Sequence, residues 1–478
     1  MKVEKLHMRC LINGKWRDAR SGSTFDVRNP ATNELIATAP LLDREQVEEA
    51  ISSANAAFPA WRDLPARERA RMLRAVGDSL QRRSEEFAQL ITREQGKPLA
   101  ESRGEVAYSV NYLHWFAEEA MRVCGDIIPS DSPQKRILVL KQPIGVAAAI
   151  TPWNFPIAML ARKMGAALAA GCTFIAKPAP ETPLSALLLG ELCQEAKIPS
   201  GAVNIITGDA AMIGAALMAS PLVKKVSFTG STEVGKLLIQ QSADTVKKLT
   251  LELGGNAPFI VLDDADLDRA IDGAIFGKYR NAGQTCICVN RFLVHESFAR
   301  EFSERLVERT KGLVVGNGLE EKTAIGPLIN DQARDKVVGL LNSAASDGAT
   351  FLCGEGARQA TSRFVEPCVI TGVKPSMRIW NEEIFGPVST ITIFSSDAEA
   401  ISLANNTPYG LAAYVYSSNL NRALRTAELL DFGMVGINDT AISNAQAPFG
   451  GVKQSGFGRE GSKYGVNDYT VLKYLSVA

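Results

Sequence analysis

Between residues 144 and 229 the chain alternates short apolar runs with helical stretches, and that alternation constrains the fold more than any other feature. Residues 144–150 (IGVAAAI) read as a buried strand, and 157–170 as a helix rich in small residues. Strands follow at 173–177, 203–207 and 225–229, with helices at 183–196 and 211–219 between them. Strand–helix–strand units of this length predict parallel pairing in a doubly wound α/β sheet. Such a sheet takes its ligand beyond the carboxyl ends of its strands. Before it, turn signals at Asn13-Gly14 and Asn29-Pro30 break 11–40 into strands. Asp43 then N-caps a helix to Phe58, Pro65 opens a long helix toward Gly96, and another runs from Pro98 to Val123. After Leu251 a second α/β region offers strands at 259–262, 292–294, 388–394 and 412–416, and the chain closes on a strand at 469–477.

The 478 residues fit about three domains. Lys plus Arg and Asp plus Glu are 52 each, so the net charge of zero argues against a dedicated nucleic-acid binder. No apolar run reaches the ~18 residues of a membrane span, and residues 1–12 lack the apolar stretch of a secretion signal. Eight scattered cysteines suit a reducing cytoplasm better than a disulfide scaffold. His7, His114 and His295 are the only histidines and lie far apart, so a His-based triad or metal site has few candidates. No metal is expected, and the chemistry falls to Cys, Glu, Lys, Arg and Asn.

Two glycine motifs need weighing. Gly230-Ser231-Thr232-Glu233-Val234-Gly235-Lys236 fits most of a P-loop, but Leu237 stands where a magnesium-binding Ser or Thr is required, which disfavours an NTPase. The turn still opens a helix whose N–H groups suit an anion such as a pyrophosphate. Gly456-Phe457-Gly458-Arg459-Glu460-Gly461 matches a dinucleotide fingerprint but lies too near the end for a following βαβ unit. It reads as a loop at a site mouth or interface.

Three polar residues sit in unusual settings. Cys286 ends Asn281-Ala282-Gly283-Gln284-Thr285 and precedes Ile287; a helix start there would favour its thiolate, while a packed core thiol is the plain alternative. Glu252 lies between two leucines just before Gly254-Gly255, where burial would raise its pKa toward that of a general base. Asn154, held between Pro152 and Pro156, is either a turn residue or an oxyanion donor.

Taken together, TPWNFP (151–156), KPAPETP (177–183), FTGSTEVG (228–235), LELGGNAP (251–258), GQTC (283–286), EEIFGPV (382–388) and PFGGVKQSGFGREG (448–461) resemble the aldehyde dehydrogenase superfamily along nearly the whole chain. The resemblance implies a Rossmann-type cofactor domain (1–121 with 141–251), an α/β catalytic domain (252–454) and a small β oligomerisation flap (122–140 with 455–478). It implies Cys286 as nucleophile, Asn154 as oxyanion donor and Glu252 as the base that activates the hydrolytic water. It places NAD or NADP against Trp153, Lys177, Gly230, Ser231, Glu383 and Phe385. Lys163 and Glu460 match positions of a proton-relay path. Where NAD-preferring members often carry a Glu, this chain has Pro180, with Glu181 next, so NADP use is expected to be tolerated.

Ala161-Arg162-Lys163, Tyr279-Arg280-Asn281, Cys286-x-Cys288 and GREGSKYG (458–465) resemble succinate-semialdehyde dehydrogenases within that superfamily. Arg162, Arg280 and Ser443 would then hold the distal carboxylate of a small semialdehyde acid, a natural task for an arginine fork. The loop 439–442 departs from that pattern, which leaves glutarate or 2-oxoglutarate semialdehyde as alternatives. A homodimer or homotetramer in the cytoplasm, with no nucleic-acid or membrane partner, completes the expectation. Cys288 could also form a reversible oxidative link with Cys286.

Overall fold

The computed structural model describes residues 8–478; His7 and most of the N-terminal stretch read against a secretion signal lie outside the described residues. Three sheets hold most of the strands, with Thr24–Arg28 and Leu35–Pro40 forming a separate two-stranded ribbon. Among the described residues, no helix is long and apolar enough to cross a membrane.

The first sheet has five parallel strands at its centre, in the order Lys248–Glu252, Val223–Thr229, Val146–Ile150, Thr173–Lys177 and Val203–Ile205. Gly456–Phe457 pairs antiparallel at one edge, and Cys10–Ile12 with Lys15–Arg17 completes the other. The chain leaves Val146–Ile150 toward one side and later returns to its other side through Val223–Thr229. This reversal opens a crevice beyond the carboxyl ends of those two strands, at 151–154 and 230–231. Helix Pro156–Ala170 is buried along its whole length, because Ala and Gly let its neighbours approach. A Cβ on Gly165 would stand 2.8 Å from the Phe116 ring.

The second sheet runs in the order Thr350–Cys353, Cys368–Thr371, Val388–Phe394, Val289–His295, Ala257–Val261, Ala412–Tyr416 and Met434–Ile437, antiparallel only at the Thr350–Cys353 edge. The third is antiparallel: Thr470–Val477, Arg136–Pro143, Asp126–Ile128.

Two helices differ from the sequence expectation. Asp43 does cap a helix with a capping box, but it continues through Pro59 to Arg62. The long helix expected between Pro65 and Gly96 is two, Ala66–Arg82 and Ser84–Gln95. No Gly or Pro marks the break at Arg83; its guanidinium reaches Glu86 at 2.7 Å and Glu191 at 3.1 Å, so a tertiary ion-pair cluster holds the bend.

Candidate active site

Glu252 ends a strand of the first sheet and Cys286 sits in the turn ahead of a strand of the second, close enough for Glu252 to act on the thiol electrostatically. Strand Lys248–Glu252 ends on Glu252; Gly254-Gly255 follow, and the chain enters the second sheet. A Cβ on Gly255 would lie 2.3 Å from the Cys286 carbonyl oxygen, so only glycine lets the two backbones touch. Gly450 similarly makes room for the Glu252 carboxyl, its Cβ position being 2.8 Å from Oε1. Glu252 is buried, and among the described residues neither carboxyl oxygen has a hydrogen-bond partner. Burial first, then the charge of Glu460, pushes its pKa well above the carboxylate range, against the pull of Arg162, Lys163 and Arg459.

Cys286 does not start a helix, which corrects the sequence reading. Helix Leu267–Tyr279 ends before it, and Asn281, Ala282 and Gly283 follow with φ of 54°, 55° and 76°. Cys286 then sits in a turn ahead of strand Val289–His295, so no helix dipole favours its thiolate. Burial pushes the thiol up to about 12; Glu252 and Glu383 add to this, while Arg162 and Arg280 oppose it. Cys288 donates its thiol to the Lys278 carbonyl at 3.3 Å, and both cysteines are free.

Asn154 lies in the crevice turn after Val146–Ile150. Its Nδ2 donates to the Gln284 carbonyl at 3.1 Å, two residues before Cys286. That bond uses one amide hydrogen and leaves the second available.

A cavity of about 520 Å³ contains Cys286, Arg162, Arg280 and Ser443 in its wall, together with Phe155 and Phe449. Among the described residues Arg280 has no ion pair or hydrogen bond; its guanidinium lies over the rings of Phe155 (5.2 Å) and Phe276 (5.4 Å). Arg162 is buried over Phe449 and its Nε pairs with Glu460 Oε2 at 2.7 Å, while among the described residues neither Nε nor Nη1 finds a hydrogen bond of good geometry. Lys163 closes the cluster, pairing with Glu460 and donating to Thr229 Oγ1 at 2.6 Å. Tyr112 donates to the Asn444 carbonyl at 3.1 Å, which anchors the loop bearing Ser443.

The switch-point crevice presents the remaining candidates. Ser231 caps helix Thr232–Ser242, its hydroxyl accepting from Val234 N at 3.3 Å, and Gly230 precedes it. Val234 and Leu237 on that helix are exposed apolar side chains. Lys177 is buried with no ion pair among the described residues, and burial lowers its pKa against the attraction of Glu181 and Asp209. Trp153 and Phe385 meet edge to face at 5.6 Å, with Phe385 at φ 55°. Glu383 accepts from Gly255 N at 2.9 Å, and burial raises it to about 7. A helix N-terminus, an apolar face, an unpaired ammonium and a buried carboxylate suit the pyrophosphate, adenine, and ribose of a dinucleotide.

The sequence pattern of the aldehyde dehydrogenase family matches residues 16–475. The chain belongs to the aldehyde dehydrogenase family. Over 467 residues it is 50% identical to a glutarate-semialdehyde dehydrogenase of Pseudomonas putida, covering 98% of this chain and 97% of that one. It is 49% identical to the NADP(+) succinate-semialdehyde dehydrogenase of Escherichia coli, with the same coverage. The crystal structure of a succinate-semialdehyde dehydrogenase from Burkholderia pseudomallei superposes with a TM-score of 0.97 at 51% identity, covering 99% of this chain and 98% of that one.

In this dehydrogenase several buried polar residues around the site had no signal in the sequence. Lys97, Glu101 and Glu105 look like the charged face of a helix entrance, yet Lys97 and Glu105 are buried and Glu101 accepts from Asn281 N at 2.7 Å. Gly456-Phe457, rejected as a fingerprint, lies beside Glu252 as the edge strand of the first sheet.

Proposed function

We propose that the enzyme oxidises a small semialdehyde carboxylic acid to the dicarboxylic acid with NAD or NADP, succinate semialdehyde first among the candidates. The observation that carries this reading is one cavity lined by Cys286, Arg162, Arg280 and Ser443, in which Arg280 has no counterion within ion-pair distance among the described residues. A short substrate with its aldehyde at Cys286 and its carboxylate at the arginines would supply that counterion. The relative of Pseudomonas putida keeps glutarate semialdehyde as a second reading.

The chemistry follows from the residues. Cys286 Sγ gives its proton to Glu252 and adds to the aldehyde carbon, forming a thiohemiacetal. Asn154 Nδ2 and the Cys286 N–H donate to the developing oxyanion. The bound coenzyme supplies the hydride acceptor, and Cys286 is left as a thioester. Glu252 takes a proton from water, which attacks the thioester; the acid departs and the thiol is restored. A carboxyl raised by burial is a stronger base than an ordinary glutamate, which suits that step. Trp153, Lys177, Gly230, Ser231, Glu383 and Phe385 would hold the coenzyme, and Lys163 with Glu460 would relay the proton from Glu252.

The three sheets support the division into cofactor, catalytic and oligomerisation parts, with residues 122–140 and strand Thr470–Val477 as the oligomerisation flap of a homodimer or homotetramer. Eight free cysteines fit a cytoplasmic enzyme.

The test is a panel of succinate, glutarate and 2-oxoglutarate semialdehydes against a simple aldehyde of equal length, each with NAD and NADP. A kcat/KM for one acid about 10–100-fold above the simple aldehyde supports the reading, since each charged hydrogen bond contributes about 1.5–3 kcal/mol. Equal use of acids and simple aldehydes overturns it.

A further inference from the structure

Lys97 follows the left-handed Gly96 and is buried entirely. Its Nζ donates to Glu105 Oε2 at 2.7 Å and to the Asn154 carbonyl at 2.6 Å, and lies 3.8 Å from the centre of the Phe155 ring. The other oxygen of Glu105 accepts from Ile157 N at 3.1 Å and Ala158 N at 3.2 Å, the first turn of helix Pro156–Ala170. The pair therefore grips both ends of the turn that carries Asn154: its carbonyl on one side and the helix start on the other.

A second clamp ties the same turn to the nucleophile loop. Asn281 Nδ2 donates to the Asn154 carbonyl at 3.1 Å and to the Gln284 carbonyl at 3.2 Å. Asn154 Nδ2 donates to that same Gln284 carbonyl at 3.1 Å. The Asn154 peptide is thus fixed by Lys97 and Asn281, and its side chain is aimed along the backbone that leads to Cys286.

A buried ion pair is costly to desolvate, and apolar side chains of equal volume often stabilise a core as well or better. What Lys97 supplies that an apolar residue cannot is a hydrogen bond to the Asn154 carbonyl. We propose that Lys97, with Glu105 as its counterion, is a positioning residue that holds the Asn154 amide where an oxyanion forms beside Cys286. The inference rests on the reading of Asn154 as the oxyanion donor, given above.

A double-mutant cycle in the full-length enzyme tests it: wild type, Asn154→Ala, Lys97→Met, and both together. The hydride-burst rate at saturating substrate and coenzyme is measured, with coenzyme affinity from fluorescence titration. Asn154→Ala alone should slow the burst by about 10²–10³-fold. Lys97→Met should slow it by roughly 10²-fold through misplacement, with coenzyme affinity unchanged. Once Asn154 is gone, removing Lys97 should cost no more than about twofold further. Independent losses that multiply, or a wild-type burst in Lys97→Met, overturn the positioning role. An unchanged burst in Asn154→Ala instead overturns the oxyanion reading itself, and this role with it. Should Lys97→Met not fold, Lys97→Met with Glu105→Gln takes its place in the same cycle, because it leaves no lone buried charge.

Discussion

Arg162 Nε lies 2.7 Å from Glu460 Oε2, and the same guanidinium borders the cavity that holds Cys286. One side chain thus belongs both to the substrate pocket and to the buried cluster behind Glu252. Burial pushes the Glu460 carboxyl up, but Lys163 and Arg162 outweigh it and hold it below the usual range. Glu460 is the shared counterion of two buried cations.

Glu460→Ala is expected to destabilise the enzyme by about 3–5 kcal/mol at pH 7, because Arg162 and Lys163 are left buried without it. Urea unfolding measures this. A carboxyl depressed in the folded state stabilises above its unfolded pKa and loses that contribution as pH falls through its folded one. The gap between wild type and variant should therefore narrow as pH drops below the ordinary carboxyl value of 4.5. A gap that stays constant to pH 3 contradicts the ion-pair account.

Cys286 is expected to be a slow thiol in the coenzyme-free enzyme. Burial places it at about 12, so at neutral pH almost none is thiolate. Alkylation of Cys286 by iodoacetamide, followed by peptide mass mapping, should rise about tenfold per pH unit from 7 to 9. A plateau below pH 8 would show a thiolate already formed, as a helix dipole would have given.

Strands of both large sheets were readable because buried parallel strands are continuous apolar runs; 173–177 of the first sheet and 388–394 of the second lie where the sequence put them. The turn before Cys286 was not readable, since Ala282 at φ 55° breaks its own local preference and is held there by tertiary contacts. Lys97 was invisible for a related reason. A lysine between Gly96 and Pro98 reads as a solvated turn residue, and only the meeting of distant segments shows it against the Asn154 carbonyl. Glu252 was readable because leucines on both sides announce burial, though the cations that surround it come from residues about 90 and 200 positions away.

Arg280→Ala separates a substrate role from a packing role. The guanidinium rests on two aromatic rings and has no ion pair, so its charge is open to a carboxylate. Loss of a charge-assisted contact should cost semialdehyde acids about 1.5–3 kcal/mol, or roughly 10–100-fold in kcat/KM. Simple aldehydes should lose far less. Equal losses on both substrate types would assign Arg280 to packing alone.

Lys177 offers a comparable test for the coenzyme. Its ammonium has no ion pair among the described residues, with Glu181 and Asp209 attracting it only from a distance. Lys177→Met should lower kcat/KM with NADP by about 10–100-fold, as for loss of one charged hydrogen bond, and with NAD by less. An equal loss with both coenzymes would place the ammonium on the ribose they share.

The C-terminal strand carries the last test. Thr470–Val477 pairs along its length with Arg136–Pro143 and leaves its other edge free. Leu472 is 69% exposed and Tyr474 60%, on a strand almost wholly uncovered. A long apolar edge of this kind pairs with further chains unless charges or bulges block it. Two such flaps brought together would cover both edges and explain why apolar residues line them. Leu472→Asp with Tyr474→Asp adds a charge pair that a second copy would have to bury. Light scattering coupled to gel filtration is expected to give a dimer or tetramer mass for the wild type and a smaller one for the variant, while the chain keeps its far-UV circular dichroism. An unchanged mass would mean that this strand is not the contact between copies.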